Sequence, residues 1–422
     1  MTQLPIDHLD PDPDPLAGTD PNAGTDSGTD IDTGGGTGSE TEADAQGEKG
    51  AESQRPRPAG GRPSPQRAEE LRARIALSLL SEAGDRDVAL LVSERGARRA
   101  AAELARYRVP RRSGADLAAA VADQVDRARK VGARCLLPGD TGWPSQLADL
   151  GPGAPLLLWV RGGKLRESLI RSISVVGARA CSPYGRVQAE TLAADLALFG
   201  WTIVSGGAYG IDAAAHAGAL AVGGGTVLVS AGGVDRAYPR GNEHLYGRVL
   251  ASGCVVSEYP LGSTPARHRF LVRNRLIAAL SRGTVVVEAG HRSGARSTAA
   301  SAGALNRHVM AVPGPVTSDL SSGCHDLIRD GEAVLVRNCA DVQELVTPMG
   351  EPPEGTQPRD VLAWLAVHGP AASSRVAAEV GLATPQAEAL LTMLEGAGMV
   401  TRVRRGWAMA EAAMLRFAKT GS

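Results

Sequence analysis

Between residues 172 and 315, short apolar runs alternate with Ala/Leu-rich segments of helical length. The runs are Ile173-Ser174-Val175-Val176, Thr202-Ile203-Val204-Ser205, Thr226-Val227-Leu228-Val229, Cys254-Val255-Val256-Ser257, Thr284-Val285-Val286-Val287 and Val309-Met310-Ala311-Val312. Each is rich in β-branched residues and gives way to a small or polar residue. Strands that are apolar throughout, separated by helices, are what a parallel sheet covered on both faces requires. The pattern predicts an α/β fold with a doubly wound, mostly parallel sheet. In such sheets ligands bind beyond the carboxyl ends of the strands. Those ends carry glycines, Arg179, Asp212 and Glu288, which makes them the candidate functional rim.

Flanking patterns differ. From Ala68 to Lys130, Ala, Leu, Arg and Glu recur at three- and four-residue spacings, predicting a small helical module broken at Val109-Pro110 and Ser113-Gly114. Its arginines (Arg98, Arg99, Arg106, Arg111, Arg112) suit a solvated helix face or an auxiliary DNA contact. From Gly142-Trp143-Pro144 to Gly162, prolines exclude a continuous helix, and Pro155-Leu156-Leu157-Leu158-Trp159-Val160 predicts a strand. Beyond a Pro/Gly/Glu linker, helices are expected at 359–368, 373–380 and 384–397, with Ser373 and Thr384 as N-caps. A two-stranded wing, Val400–Val403 with Trp407–Met409 around Arg404-Arg405-Gly406, follows them. That order predicts a winged helix-turn-helix. The expected segments are 1–66 (acidic, disordered), 67–135 (helical), 136–170 (connector), 171–347 (sheet domain), 348–357 (linker), 358–412 (winged helix) and 413–422 (tail).

Composition then narrows the ligand. The chain of 422 residues has a formal net charge of −1, but residues 1–60 carry 13 of its 46 acids and only 3 of its 45 Lys/Arg. That leaves 33 acids and 42 bases in the remainder, an excess of 9 positive charges, which fits a polyanionic partner. The Asp/Gly/Thr/Pro-rich segment itself buries too little apolar surface to offset chain entropy. It reads as a solvating tail or as a competitor of nucleic acid for the basic body. The five cysteines show no metal-ligand or CxxC spacing, as expected of reduced thiols in a cytoplasmic protein. Neither a signal peptide nor a membrane-length apolar run is visible. No metal or cofactor is expected.

The rim residues are specific in type. After the first strand comes Gly177-Ala178-Arg179-Ala180, which is not GxGxxG, so the dinucleotide fingerprint is missing. Gly177 permits a phosphate to approach the backbone, the next helix offers N-terminal N–H groups, and Arg179 supplies a guanidinium fork. The bland alternative is a tight turn with a surface arginine. After the second strand, Ser205-Gly206-Gly207-Ala208-Tyr209-Gly210 offers positive φ and close backbone approach. Asp212 reads as a helix N-cap and His216 as a packed structural histidine. Arg267-His268-Arg269-Phe270-Leu271-Val272-Arg273-Asn274-Arg275 interleaves four arginines with one of only three phenylalanines in the chain. Bases stack on rings while guanidiniums neutralise phosphates, a pattern for sequence-tolerant single-strand binding. The alternative is a solvated basic helix start over a buried Phe. Ser293, Gly294 and Thr298, following Glu288, offer another phosphate seat. No serine, histidine and acid trio has the spacing for nucleophilic catalysis.

Taken together, Gly177-Ala178-Arg179-Ala180, Ser205-Gly206-Gly207, Gly210 to His216, Tyr238-Pro239 with Asn242, Arg273-Asn274-Arg275, Glu288-Ala289, Ser293-Gly294, Thr298 and Ala311-Val312-Pro313-Gly314 resemble the DprA/Smf family of DNA-processing proteins. The Trp143-Pro144 to Gly162 connector is similar as well, and the likeness spans roughly 70–410. It implies an extended Rossmann-like sheet domain with an N-terminal helical, SAM-like module and a C-terminal winged-helix domain. It further implies a non-catalytic protein that binds single-stranded DNA, forms homodimers through the sheet domain and loads RecA recombinase during natural transformation. The implied DNA contacts are Gly177, Arg179, Arg267 and Phe270, with Arg273, Asn274 and Arg275 shaping the rim. Three positions depart from the family's pattern: Tyr209 where Arg is frequent, Leu271 at a common Pro position, and His325 where Asn is usual.

Two other functions fit less well. A nucleotide hydrolase of phosphoribohydrolase type would use Glu288 or Asp212 beside a ribose. Its Pro-Gly-Gly-x-Gly-Thr-x-x-Glu loop is replaced by Ala289-Gly290-His291-Arg292-Ser293-Gly294. A transcription-type binder would read DNA with the helix from Thr384 to Glu395, but that helix holds acids and no Lys or Arg. A protein-contact or auxiliary DNA role is expected there instead.

Overall fold

The computed structural model describes residues 64–108, 114–347, 357–382, 384–396, 398–411 and 413–414. Residues 1–63 of the acidic segment, Arg111 and Arg112, most of the linker and the tail from 415 lie outside them.

Four helices come first: α1 (Pro65–Leu80), α2 (Arg86–Arg95), α3 (Ala97–Arg108) and α4 (Gly114–Val131). Ser64 caps α1 by accepting from Arg67 N, and Asp85 caps α2 by accepting from Val88 N. Gly96, at φ 75°, turns α2 directly into α3. Ile75, Leu77, Ala100 and Leu104 are buried in one cluster with Trp159, Val255 and Leu261. The helical module therefore shares its core with one face of the sheet.

The chain continues through β1 (Ala133–Leu136), β2 (Leu158–Gly162), α5 (Leu165–Ser168), β3 (Ser172–Val176), α6 (Pro183–Leu198), β4 (Thr202–Ser205), α7 (Ile211–Ala221), β5 (Thr226–Val229) and α8 (Glu243–Ser252). It then forms β6 (Cys254–Ser257), α9 (Arg267–Ala279), β7 (Gly283–Val286), α10 (Gly294–Ala304), β8 (His308–Ala311), α11 (Asp319–Arg329), β9 (Val334–Leu335) and α12 (Cys339–Val346). The nine strands lie in the order β1-β2-β6-β5-β4-β3-β7-β8-β9. From β6 to β9 all pairs are parallel, while β2 runs antiparallel to both β6 and β1. The winding starts at β3, moves outward through β4, β5 and β6, and returns to the other side of β3 with β7. The switch point thus lies between β3 and β7.

Alternate residues of each strand feed opposite faces. Ile173, Val175, Val285 and Val287 pack with α6 and α7, whereas Val176, Val204 and Val286 pack with α9 and α10. The polar members of the apolar runs are used internally. Ser172 Oγ donates to Leu280 O and Ser174 Oγ to Ile277 O, each at 2.8 Å, so β3 ties down the C-terminal carbonyls of α9.

The sheet is wider than the apolar runs suggest. The strand expected from Pro155 to Val160 is present as β2, and with β1, at the end of the segment expected to be helical, it extends the sheet as an antiparallel edge. After the linker come α13 (Gln357–His368), α14 (Ser373–Val380), α15 (Thr384–Gly396) and the antiparallel pair β10 (Val400–Val403) and β11 (Gly406–Met409). They close a core of Val361, Leu365, Val376, Leu391 and Trp407, which also includes Leu198 and Val222 near the ends of α6 and α7. Ser373 is not the expected cap. Ala372 holds that place, without a side-chain bond. Among the described residues no helix is long and apolar enough to cross a membrane.

Candidate nucleic-acid interface

The loops after β3, β4 and β5 and the start of α9 meet at one end of the sheet. Gly177 lets the chain leave β3 beneath α7, since a Cβ there would run into Ile211 and the Glu288 carbonyl. Ala178 N donates to Glu288 O at 2.7 Å and Ala178 O accepts from Ile211 N at 3.2 Å. Arg179 is then exposed, and its guanidinium carbon lies 4.8 Å from the centre of the Phe270 ring.

The glycine turn after β4 is locked on several sides. Gly210 has φ 75°, and a side chain there would strike the carbonyl oxygens of Ala178 and Arg179. Asn242 Nδ2 donates to Gly207 O at 3.1 Å and Ala208 O at 3.3 Å. The Asp212 carboxylate accepts from Gly206 N at 3.1 Å and Ala208 N at 3.4 Å. Asp212 was expected as the helix N-cap. Gly210 takes that position, and Asp212 instead reaches back from inside the first turn to hold the loop. Burial pushes the Asp212 carboxyl above the usual range, opposed by the nearby Arg273. His216 is packed as expected, with Nδ1 2.7 Å from Thr226 Oγ1, and burial drives its pKa down to about 3.

Helix α9 sorts its arginines by position. Arg267, at the first turn, is exposed. Arg269 pairs with Glu82 at 2.6 Å and lies over the Tyr259 ring, while Arg275 grips Glu258 through two bonds of 2.6 and 2.8 Å. Arg273 is 4 % exposed and donates from Nη1 to Val229 O at 2.5 Å. It fills the space that a Cβ on Gly206 would need. Burial lowers its pKa to about 10, with Asp212 working against the shift. Phe270 sits in front of it, 6.0 Å from the Arg273 guanidinium and 5.6 Å from the Tyr238 ring at a tilt of 40°.

The sequence-derived residues thus separate. Arg179 meets Phe270 at the surface, and exposed Arg267 stands three residues before Phe270 on α9. Ser205 is buried and donates to Val175 O, Asn274 donates to Gly294 O, and Thr298 is buried. Ser293 caps α10 by accepting from Ala295 N, leaving Gly294 exposed. Tyr238, not among the expected contacts, is half-exposed beside Phe270. Its signal was an aromatic residue in the Tyr238-Pro239…Asn242 stretch. Arg236 and Arg240, on the same loop, are exposed, and their side chains bond to no other described residue.

On the β7 side a phosphate was expected at the start of α6. Glu288 already occupies that place, accepting from Ser182 N at 2.9 Å and Ser182 Oγ at 2.5 Å. It is buried against Gly185, where a Cβ has no room. Tyr184 closes the same side by donating to Pro313 O at 2.6 Å. His325 lies beyond, with Nε2 3.0 Å from Gly314 O. Among the described residues no cluster of His, Cys, Asp and Glu could hold a metal ion. Burial raises the Cys254 and Cys324 thiols to about 12, which makes them poor nucleophiles.

Residues 134–347 match the profile of the family described as DNA recombination-mediator protein A. A putative DNA processing protein DprA of Mycobacterium tuberculosis is 46% identical over 302 residues, covering 66% of this chain and 77% of the relative. This chain belongs to the DprA/Smf family. A DprA of Streptococcus pneumoniae is 41% identical over 203 residues, 48% of this chain and 71% of its own. The X-ray structure of DprA from that organism superposes with a TM-score of 0.54 at 31% identity, covering 66% of this chain and 98% of its own. The Rossmann-like sheet is therefore that of DprA. All fourteen DNA contacts proposed from the sequence, from Gly177 to Thr298, fall within the DprA profile.

Proposed function

We propose that this DprA/Smf-family protein holds single-stranded DNA across the ends of β3, β4 and β5 and the start of α9, does not cut it, and passes it to RecA. The observation that carries this is the exposed Arg179 lying over half-buried Phe270 beside a rigid glycine turn, with exposed Arg267 three residues before that phenylalanine on α9. Guanidiniums meet phosphates there, and aromatic faces meet bases. Gly177, Gly206, Gly207 and Gly210 fix the loops that present this surface, each lacking a Cβ where another part of the protein packs. Ser205, Arg273, Asn274, Arg275 and Thr298 hold the frame, and Ser293 and Gly294 form the far edge.

A phosphoribohydrolase-like activity is disfavoured by the two carboxylates it would use. Asp212 is engaged by loop amides and Glu288 by Ser182. Recombinase loading is supported by the family's description as a recombination mediator, and homodimerisation through the sheet domain by the resemblance. We read α13–α15 with β10 and β11 as a winged helix that serves a protein contact.

The test is the salt dependence of single-strand affinity, followed by anisotropy. Each phosphate contact contributes about 0.7 to the log–log slope on a single strand. Arg179→Ala and Arg267→Ala should each weaken binding and flatten the slope by about that amount. Wild-type affinity and slope in both variants would refute the assignment.

A further inference from the structure

Phe270 is the ring that the sequence offers to a base, yet in the folded protein its surroundings are filled. Arg179 lies over the ring at 4.8 Å, Tyr238 leans against it at 5.6 Å and Arg273 stands 6.0 Å away. More open aromatic surface is offered by two tyrosines of the neighbouring loops. Tyr238 is 46 % exposed and Tyr209 44 %.

Tyr209 is held where a stacking platform needs to be. It stands between Ala208, whose N–H binds Asp212 and whose carbonyl accepts from Asn242, and Gly210, whose positive φ admits no side chain. Its ring lies against Gly241, where a Cβ would collide with the phenol. Asn242, next to Gly241, ties this loop to the one bearing Tyr238. The Tyr209 hydroxyl bonds to no other described residue. An exposed aromatic side chain gains little for the fold, so such rigid presentation suits contact with a planar partner.

We propose that Tyr209 forms a base-stacking subsite for single-stranded nucleic acid, distinct from the Arg179–Phe270 pair against which Tyr238 leans. The subsite rests on the single-strand reading above and adds an uncharged contribution to it. A base stacks on a ring whatever its identity, so Tyr209 raises affinity without adding sequence preference or salt dependence.

Full-length protein, Tyr209→Ala and Tyr209→Phe are titrated with a thymidine oligonucleotide and with an abasic oligonucleotide of equal length. On thymidine, Tyr209→Ala should bind roughly tenfold more weakly with an unchanged salt slope, while Tyr209→Phe retains wild-type affinity. On the abasic strand wild type and Tyr209→Ala should bind alike, since no base remains to stack. Equal affinity of Tyr209→Ala and wild type for thymidine overturns the subsite, and so does a loss that persists on the abasic strand. Arg179→Ala in the same series reads out the charged site independently. If its slope falls while Tyr209→Ala is silent, only the tyrosine subsite is lost. If its slope does not move, the single-strand site itself is misplaced.

Discussion

The two halves of the rim are built from the same kind of strand end but treat charge in opposite ways. On the β7 side of β3, at the topological switch point where doubly wound sheets hold their ligands, the protein supplies its own anion. Glu288 binds Ser182 N and Oγ at the start of α6, and Gly185 leaves room for the carboxylate alone. On the β4 side, the carboxylate of Asp212 is turned inward onto the loop amides, and exposed arginines and tyrosines face solvent. One half is sealed and the other is open. A helix N-terminus that already holds a carboxylate has no need of a phosphate. The strand-binding surface proposed above accordingly lies on the loops after β3, β4 and β5 and not in the crevice between β3 and β7.

The largest effect should come from the support beneath the open half. Arg273 neutralises buried Asp212 from a distance, bonds Val229 O and fills the space beside Gly206. Arg273→Leu leaves Asp212 buried without its nearest cation, and breaking such an arrangement costs about 3 kcal/mol or more. Urea unfolding should show a loss of that size together with weaker single-strand binding. A variant as stable as wild type would mean that Asp212 is neutral in the folded protein.

A smaller effect is expected from the sealed half. Glu288→Ala leaves the Ser182 N–H and hydroxyl without their acceptor, at a cost of about 1–3 kcal/mol. Stability should fall by that amount in the same unfolding assay, while single-strand affinity stays at the wild-type value. If affinity for DNA collapses although the protein remains folded, the two halves act as one site and the contrast between them is wrong.

Much of this was legible in the chain, for identifiable reasons. Strands β3 to β8 announce themselves because a strand buried on both faces is apolar at every position. β1 does not, since Ala133, Arg134, Cys135 and Leu136 are all only half-buried at the edge. β9 is two residues long and its side chains are exposed. The placement of β2 next to β6 is a long-range pairing that no local pattern encodes. At the site, residue types were visible and partners were not. Arg179, Arg267 and Phe270 could be chosen by chemistry. That Arg269 pairs with Glu82 and Arg275 with Glu258 depends on contacts 187 and 17 residues apart. The same limit hid Glu288, whose acceptor role needs Ser182, 106 residues earlier in the chain.

The smallest effect is expected farthest from the rim. In the C-terminal body Arg402 is already engaged, over the Trp407 ring at 4.6 Å and 3.3 Å from Glu395. The turn between β10 and β11 leaves Arg404 and Arg405 exposed. Were both to contact phosphate, replacing them together with alanine would lower the single-strand salt slope by about 1.4. Helix α15 carries acids and no Lys or Arg, so the pair should change neither slope nor affinity. A drop of the phosphate-contact size would extend the open half of the rim onto the C-terminal body. An unchanged slope confines strand binding to the sheet end and leaves the C-terminal body for the proposed protein contact.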